Sequence, residues 1–277
     1  MSSSTPISIP EPAQELEDHT SDIDINSDNH DDSGTDSDTN PTLADDMVRV
    51  SSIPTLGQMY KDGLLKAAAK EKVKRSVDKA LLERVSLFRG DIVKLEVDSI
   101  VNAANKSLLG GGGVDGAIHA AAGPKLVAEC RQLNGCETGQ SKITRGYNLP
   151  SAHVIHTVGP VYGLPDIETK AAQLASCYKT SLQLAVENSL KHIAFPCIST
   201  GIYGYPIEDA THIALKTVRD FIESEEGSKL ERVIFVIWTP RDKGVYETLL
   251  PEYFPPAEES TSTESAEAST TASAPAE

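Results

Sequence analysis

Between Val85 and Leu250, short apolar runs alternate with stretches of helical spacing, and that alternation restricts the chain to few architectures. RVSLFRG (84–90) alternates apolar and polar residues and stops at Gly90, as a strand does. DSIVNAAN (98–105) is a short apolar run of the kind expected of a strand buried on both faces, and HVIHTVG (153–159), HIAFPCIS (192–199) and RVIFVIW (232–238) are further apolar strands. Val114–Leu133 reads as two helical pieces broken at Gly123-Pro124, because proline cannot continue a helix and restricts the residue before it. Leu174, Tyr178, Leu182, Ala185 and Val186 recur at helical spacing. Pro206 opens a long helix at the position proline tolerates best, with Ala210, Ile213, Ala214, Thr217, Val218, Phe221 and Ile222 along its buried stripe. A short helix over Val245–Leu250 follows the last strand. The pattern predicts an α/β fold of three layers with a largely parallel central sheet, whose ligands bind outside the carboxyl ends of the strands.

Charge divides the 277 residues differently. Residues 1–50 hold 13 Asp/Glu against one Arg, and residues 255–277 hold five Glu and no basic residue. The formal net charge of −16 therefore describes the tails, and the middle of the chain is close to neutral. Both tails, 1–50 and 256–277, are rich in Ser, Thr, Asp, Glu and Pro and read as disordered, since they have too little apolar surface to offset the entropy of ordering. Residues 51–84 read as a helical N-terminal extension, because LLKAAAKEKVKRSVDKALLER is rich in helix formers, and 85–255 as one domain. The charged stretch Lys70–Arg75 reads as a solvated helix face, so sequence-specific nucleic-acid binding is not expected. No apolar stretch approaches the roughly 18 residues of a membrane span, and the N-terminus lacks the pattern of a secretory signal. The four cysteines have no CxxC spacing and read as reduced thiols, which points to cytosol or nucleus.

The unusual residues follow the strands. Gly110–Gly113 is a run of four glycines directly before a helix, costly to order unless the backbone must approach something closely. The helix behind it aims N–H groups and its positive dipole end at the loop, which suits a pyrophosphate. Ser199-Thr200-Gly201-Ile202-Tyr203-Gly204 forms a second small-residue loop, with hydroxyls, exposed N–H groups and a Tyr203 ring able to cover a ligand. Gly111, Gly113 and Gly116 satisfy G-x-G-x-x-G literally, but Lys106–Leu109 separate them from the strand and Asp115 lies within the loop, unlike a dinucleotide fingerprint. There is no Walker lysine, and no nucleophile elbow to support a Ser–His–Asp triad. Asp115 reads either as a capping acid of the helix or as a carboxylate that orders a water or a ribose hydroxyl. Asn102 reads as a structural hydrogen-bonder or a ligand, and Asn105, nearer the loop, can bond a ribose hydroxyl. His119, His153 and His156 read as packing residues, and Cys197 as a small buried hydrophobe.

Over about Ile53 to Pro255 the chain resembles the macrodomain family, specifically its MacroD-type branch. The resemblance is carried by GDIVKLEVDSIVNAANKSLLGGGGVDGAIHAAAG, KITRGYNLPSAHVIHTVGP and IAFPCISTGIYGYP. It implies an α/β/α macrodomain with a mixed, largely parallel sheet that binds ADP-ribose. Asp91 matches the acid that reads the adenine amino group, flanked by Gly90 and the Ile92 backbone, and Trp238 matches an aromatic position at the adenosine end. Ala103 and Ala104 belong to the same pocket; Gly110–Val114 and Ser199–Tyr205 match the two phosphate loops. Asn105 and Asp115 match the pair at the distal ribose of hydrolytic members. The chain runs from GGGG straight into VDG without the inserted Cys/His loop of zinc-dependent macrodomains, so no metal and no cofactor are expected. The implied activity is hydrolysis of mono-ADP-ribose esters on protein Asp/Glu and deacetylation of O-acetyl-ADP-ribose by a monomer. A non-catalytic reader of ADP-ribose and a phosphatase acting on ADP-ribose-1″-phosphate are the alternatives.

Overall fold

The structure, a computed structural model, describes residues 46–163 and 165–256. A six-stranded sheet runs in the order β2-β8-β7-β4-β6-β5, where β2 is Val85–Arg89, β4 Ser99–Ala104, β5 Ser141–Arg145, β6 His153–Val158, β7 His192–Phe195 and β8 Arg232–Ile237. All neighbours are parallel except β5, which pairs antiparallel with β6 at the edge. The sheet is thus mixed and mostly parallel.

Side chains alternate across it with the period of two that a strand imposes. Val101, Ile155, Ile193, Phe195, Val233, Phe235 and Ile237 point into one core, closed by helices α5 (Ile167–Glu187), α6 (Ile207–Ile222) and α7 (Pro240–Tyr253). Ile100, Ala104, Val154, Val158, Ala194, Ile234 and Val236 point into the other, closed by α3 (Gly113–Ala122) and α4 (Pro124–Gln132). These are the three layers expected from the alternation. Gly123, at φ +79, separates α3 from α4 and serves both, with Pro124 starting the second helix.

Three local readings are corrected. The stretch 64–84 is not one helix: α1 (Leu56–Lys61) is followed by a 3₁₀ turn at Lys70–Lys72 and a single turn, α2, at Lys79–Leu82. Gly63, at φ +68, follows the end of α1, and the extended residues beyond it bind elsewhere. Lys74 N–H donates to the Glu252 carbonyl (2.7 Å), its ammonium to the Glu252 carboxylate (2.6 Å), and the Ser76 carbonyl accepts from the buried Arg219 (3.1 Å). Tertiary partners here override helix propensity. The segment still contributes Leu56, Met59, Leu65, Leu81 and Leu82 to the first core. Within the stretch read as an acidic tail, Val48–Arg49 (β1) pairs with Leu95–Glu96 (β3) in a separate two-stranded sheet. The last helix runs over Pro240–Tyr253 rather than Val245–Leu250, because Thr239 and Asp242 form a capping box upstream and Pro251 is accommodated within it. The remainder of the two tail readings, 1–45 and 257–277, lies outside the described residues.

Candidate functional site

Four neighbouring strands, β2, β8, β7 and β4, end at one cleft of about 840 Å³. Gly90, Asp91 and Ile92 enter it after β2; Ala103, Ala104 and Asn105 come from the end of β4, and Gly111, Gly112, Gly113, Val114 and Asp115 from the loop and helix beyond. Ser199, Thr200, Gly201, Ile202 and Tyr203 come from the loop after β7, and Trp238 from the end of β8. The sequence thus located most of the wall. Ala117, Gly159, Pro196, Cys197, Thr239, Arg241 and Asp242 also line it and were not expected.

Gly110, Gly204 and Tyr205 do not line the cleft. Gly110 turns away at φ +89, and its carbonyl accepts from the Asn105 amide at 2.8 Å. Gly204 N–H closes a turn onto the Gly201 carbonyl. Tyr205 is buried below the loop, its ring 4.8 Å from that of Tyr162, so it supports the loop from inside.

The glycine loop delivers backbone donors. Gly112 is the N-cap of α3 and no side chain caps it, so the first-turn N–H groups have no side-chain acceptor. A Cβ on Gly116 would sit 2.5 Å from the Gly111 carbonyl oxygen, so the loop can lie on the helix only because that position is glycine. Opposite, Ser199 holds φ +65, and a Cβ on Gly159 would stand 2.1 Å from the Ser199 hydroxyl oxygen. The two loops close over the cleft: a Cβ on Gly112 would meet Cδ1 of Ile202 at 3.0 Å. Of the residues lining the cleft, Arg241 alone is basic, whereas Asp91, Asp115 and Asp242 are acidic. An anionic group held between these loops relies on N–H dipoles and the helix end rather than on side-chain cations.

Asp115 sits in the first turn of α3 but does not cap it, which removes the capping-acid reading. It is buried, and its Oδ1 accepts from Nδ2 of Asn102 at 2.7 Å. Nδ2 of Asn105 reaches Asp115 Oδ2 at 3.5 Å, a marginal bond, while Asn105 Oδ1 accepts from the Ser107 N–H (2.9 Å) and hydroxyl (2.6 Å). Asn105 therefore braces the loop as well as facing the cleft. Nε2 of His119 lies 3.4 Å from Asp115 Oδ1 without the alignment of a hydrogen bond.

Behind the carboxylate, Asn102 and His156 are wholly buried. Ligand atoms of His119, Cys130 and His156 lie within 4.8 Å of one another, an approach that their spacing in the chain does not announce. Burial pushes the Cys130 thiol up to about 11 and the Cys197 thiol up to about 12, so neither is a thiolate at neutral pH. Asp91 Oδ1 accepts from Val93 N–H at 3.1 Å, which fixes the carboxylate at the start of a 3₁₀ turn. Trp238 is 69% exposed at the rim.

The Macro domain family model matches residues 101–214, from the middle of β4 into α6. The ADP-ribose glycohydrolase MACROD1 of Rattus norvegicus is 52% identical over 213 residues, covering 76% of this chain and 81% of the relative. The chain belongs to the macrodomain family. MACROD1 of Bos taurus is likewise 52% identical over 213 residues, and there the match spans 64% of the relative's length. A crystal structure of a Trypanosoma brucei macrodomain in complex with ADP-ribose is similar at a TM-score of 0.63 and 39% identity, over 74% of this chain and 77% of that one.

The macrodomain residues missed in the sequence share one property. Pro196, Thr239 and Asp242 become wall residues through strand order, which sets β8 and β7 between β2 and β4, and Gly159 because β6 lies on the other side of β4. Asn102 and His156 did carry a signal: each is polar at the centre of an apolar strand face, Ile100-x-Asn102-x-Ala104 and Val154-x-His156-x-Val158.

Proposed function

We propose that this macrodomain is a hydrolase of ADP-ribose esters, which removes mono-ADP-ribose from protein Asp and Glu and deacetylates O-acetyl-ADP-ribose. The observation that carries the reading is Asp115, a buried carboxylate held by Asn102 at a cleft that two small-residue loops also line. The names of the relatives as ADP-ribose glycohydrolases, and the ADP-ribose complex of the T. brucei macrodomain, support it.

In this reading Asp91 reads the adenine, Trp238 covers the adenosine end, and the loops at Gly111–Val114 and Ser199–Tyr203 hold the diphosphate. The distal ribose then lies against Asn105 and Asp115. Asp115 accepts a hydrogen bond from water and polarises it for attack on the ester. Water adds across the acyl–oxygen–ribose linkage, giving the free carboxylic acid and ADP-ribose. The loops act as a fixed electrostatic frame and the water is pre-positioned, so neither has to be organised during the reaction. The partners are ADP-ribosylated proteins, met by a monomer in cytosol or nucleus, where thiols such as the four free cysteines stay reduced.

Single-turnover release of ADP-ribose from a protein mono-ADP-ribosylated on glutamate tests the reading. Release at the wild-type active site that is lost in Asp115→Ala is the expected result. Calorimetric binding of ADP-ribose with no turnover of ester or O-acetyl substrate replaces it with the reader.

A further inference from the structure

Asn102 has two amide hydrogens and both are committed. One goes to Asp115 Oδ1 at 2.7 Å and the other to Nδ1 of His156 at 3.1 Å. The carboxylate can only accept, so the amide orientation is forced: the reversed amide would set its oxygen against Asp115. Nδ1 of His156 must then be an acceptor without a proton, and the ring proton of the neutral imidazole lies on Nε2.

The other side of the ring agrees. Nε2 stands 2.9 Å from Thr144 Oγ1, whose own hydroxyl hydrogen has carbonyl acceptors at Arg145 (3.2 Å) and Val154 (3.5 Å), leaving a lone pair for the imidazole N–H. Asn102 and His156 are directly paired residues on β4 and β6, and Thr144 comes from the antiparallel edge strand β5. Three strands thus build a wholly buried chain that ends at Asp115. Burial and the neighbouring His119 push the His156 imidazole down to about 3, so it stays neutral under working conditions. His119, Cys130, Asn102 and Thr144 are the polar groups that face it. The approach of Cys130 Sγ to Nε2, 3.6 Å, has the look of a metal-ligand pair, but an Nε2 that carries the proton has no lone pair for a cation.

We infer that His156 is a positioning residue for the hydrolytic carboxylate: in its Nε2–H form it takes one amide hydrogen of Asn102 and so aims the other at Asp115. The inference rests on the reading of Asp115 as the group that positions water. The relay sets the angle of the carboxylate; it transfers no proton. Neither Thr144 nor His156 lines the cleft.

Two measurements test it on the full chain. Imidazole ¹⁵N spectra, assigned through bonds, should show His156 neutral with its proton on Nε2 from about pH 5 to about pH 8. A proton on Nδ1, or protonation of the ring within that range, overturns the inference without any variant. Second, His156→Leu should lower kcat for ester hydrolysis about tenfold or more with ADP-ribose affinity unchanged, as expected when a reacting group is displaced and the binding frame is not. His156→Asn, whose side-chain oxygen offers an acceptor near the position of Nδ1, should recover part of kcat, which a purely packing role would not give. Wild-type kcat in a folded, ligand-binding His156→Leu overturns the positioning role. Asp115→Ala, run alongside, separates the two failures: if it is inactive while His156→Leu is not, the inference fails alone, and if it is active, the function reading fails first.

Discussion

Asp115→Asn isolates charge from shape at the point where the function reading is most exposed. The amide is nearly isosteric with the carboxylate, and its oxygen can take the place of Oδ1 as acceptor for Asn102. Its NH₂ then replaces Oδ2, whose one contact within the protein, to Asn105 Nδ2, is already long at 3.5 Å. The fold therefore loses no more than this marginal hydrogen bond, at most about 1 kcal/mol. Turnover loses the polarising anion, and removal of a positioned base typically costs about 100-fold or more, equivalent to about 2.7 kcal/mol of transition-state stabilisation. Affinity for ADP-ribose should hold or rise, since a negative charge beside an anionic ligand has been removed. Asp115→Ala differs in a useful way: it leaves one Asn102 N–H without a partner in the core, at about 1 to 3 kcal/mol of stability. Single-turnover rate, calorimetric affinity and urea midpoint measured on both variants give three independent numbers. A rate for Asp115→Asn within threefold of wild type would refute the reasoning, whatever the stability result.

Gly112→Glu should abolish ADP-ribose binding in calorimetry while the protein still melts cooperatively, because Gly112 has an ordinary φ of −98 and its added Cβ meets only the flexible Ile202 tip. The buried His156 also makes stability pH-dependent. Its folded pKa lies below the unfolded value, so its contribution is complete above about pH 6.5 and falls by about 1.4 kcal/mol per unit as pH drops towards 3. Urea unfolding of wild type and His156→Leu across that range should show a shallower slope in the variant, and parallel curves would remove the assignment. Arg219→Met should cost about 3 kcal/mol or more in the same assay, since it leaves the Tyr253 and Ser76 carbonyls without the guanidinium that bonds them at 2.8 and 3.1 Å.

The sheet was legible because its central strands announce themselves. A run such as RVIFVIW has apolar residues for both faces, and no helix of that length would be so uniformly β-branched and aromatic. β5 escaped notice: Ser141–Arg145 has one apolar residue, Ile143, and as an edge strand it pairs with a neighbour on one side only, so its polar residues give no run to detect. Residues 64–84 misled in the opposite direction. Their alanines and lysines favour helix in isolation, but their bonds to Glu252 and Arg219 depend on chain more than 130 positions away. In the site, glycine runs and Asp115 could be found locally because an unusual local sequence is what such a loop requires. Tyr205 could not be separated from Tyr203 by sequence, because its burial depends on Tyr162, which belongs to another loop. Asn102 and His156 could be seen as anomalies on apolar strands, yet their partnership needs the β4–β6 register.

Helix α7 joins two distant parts of the molecule as a strut. Its first turn, with Arg241 and Asp242, forms the wall of the cleft next to Trp238, and its far end lies about 21 Å away at a rise of 1.5 Å per residue. At that far end the carbonyls of Glu252, Tyr253 and Phe254 accept from Lys74 N–H, Arg219 and the Tyr60 hydroxyl. Two of those three donors belong to residues 56–76, ahead of the first strand of the main sheet. A truncation beginning at Val85, where the repeating pattern starts, would keep every residue of the cleft and still unfasten the helix that supports one of its sides. The boundary of the working unit is therefore set by where its last helix is tied down, at Tyr60 and Lys74, and not by where its sheet begins.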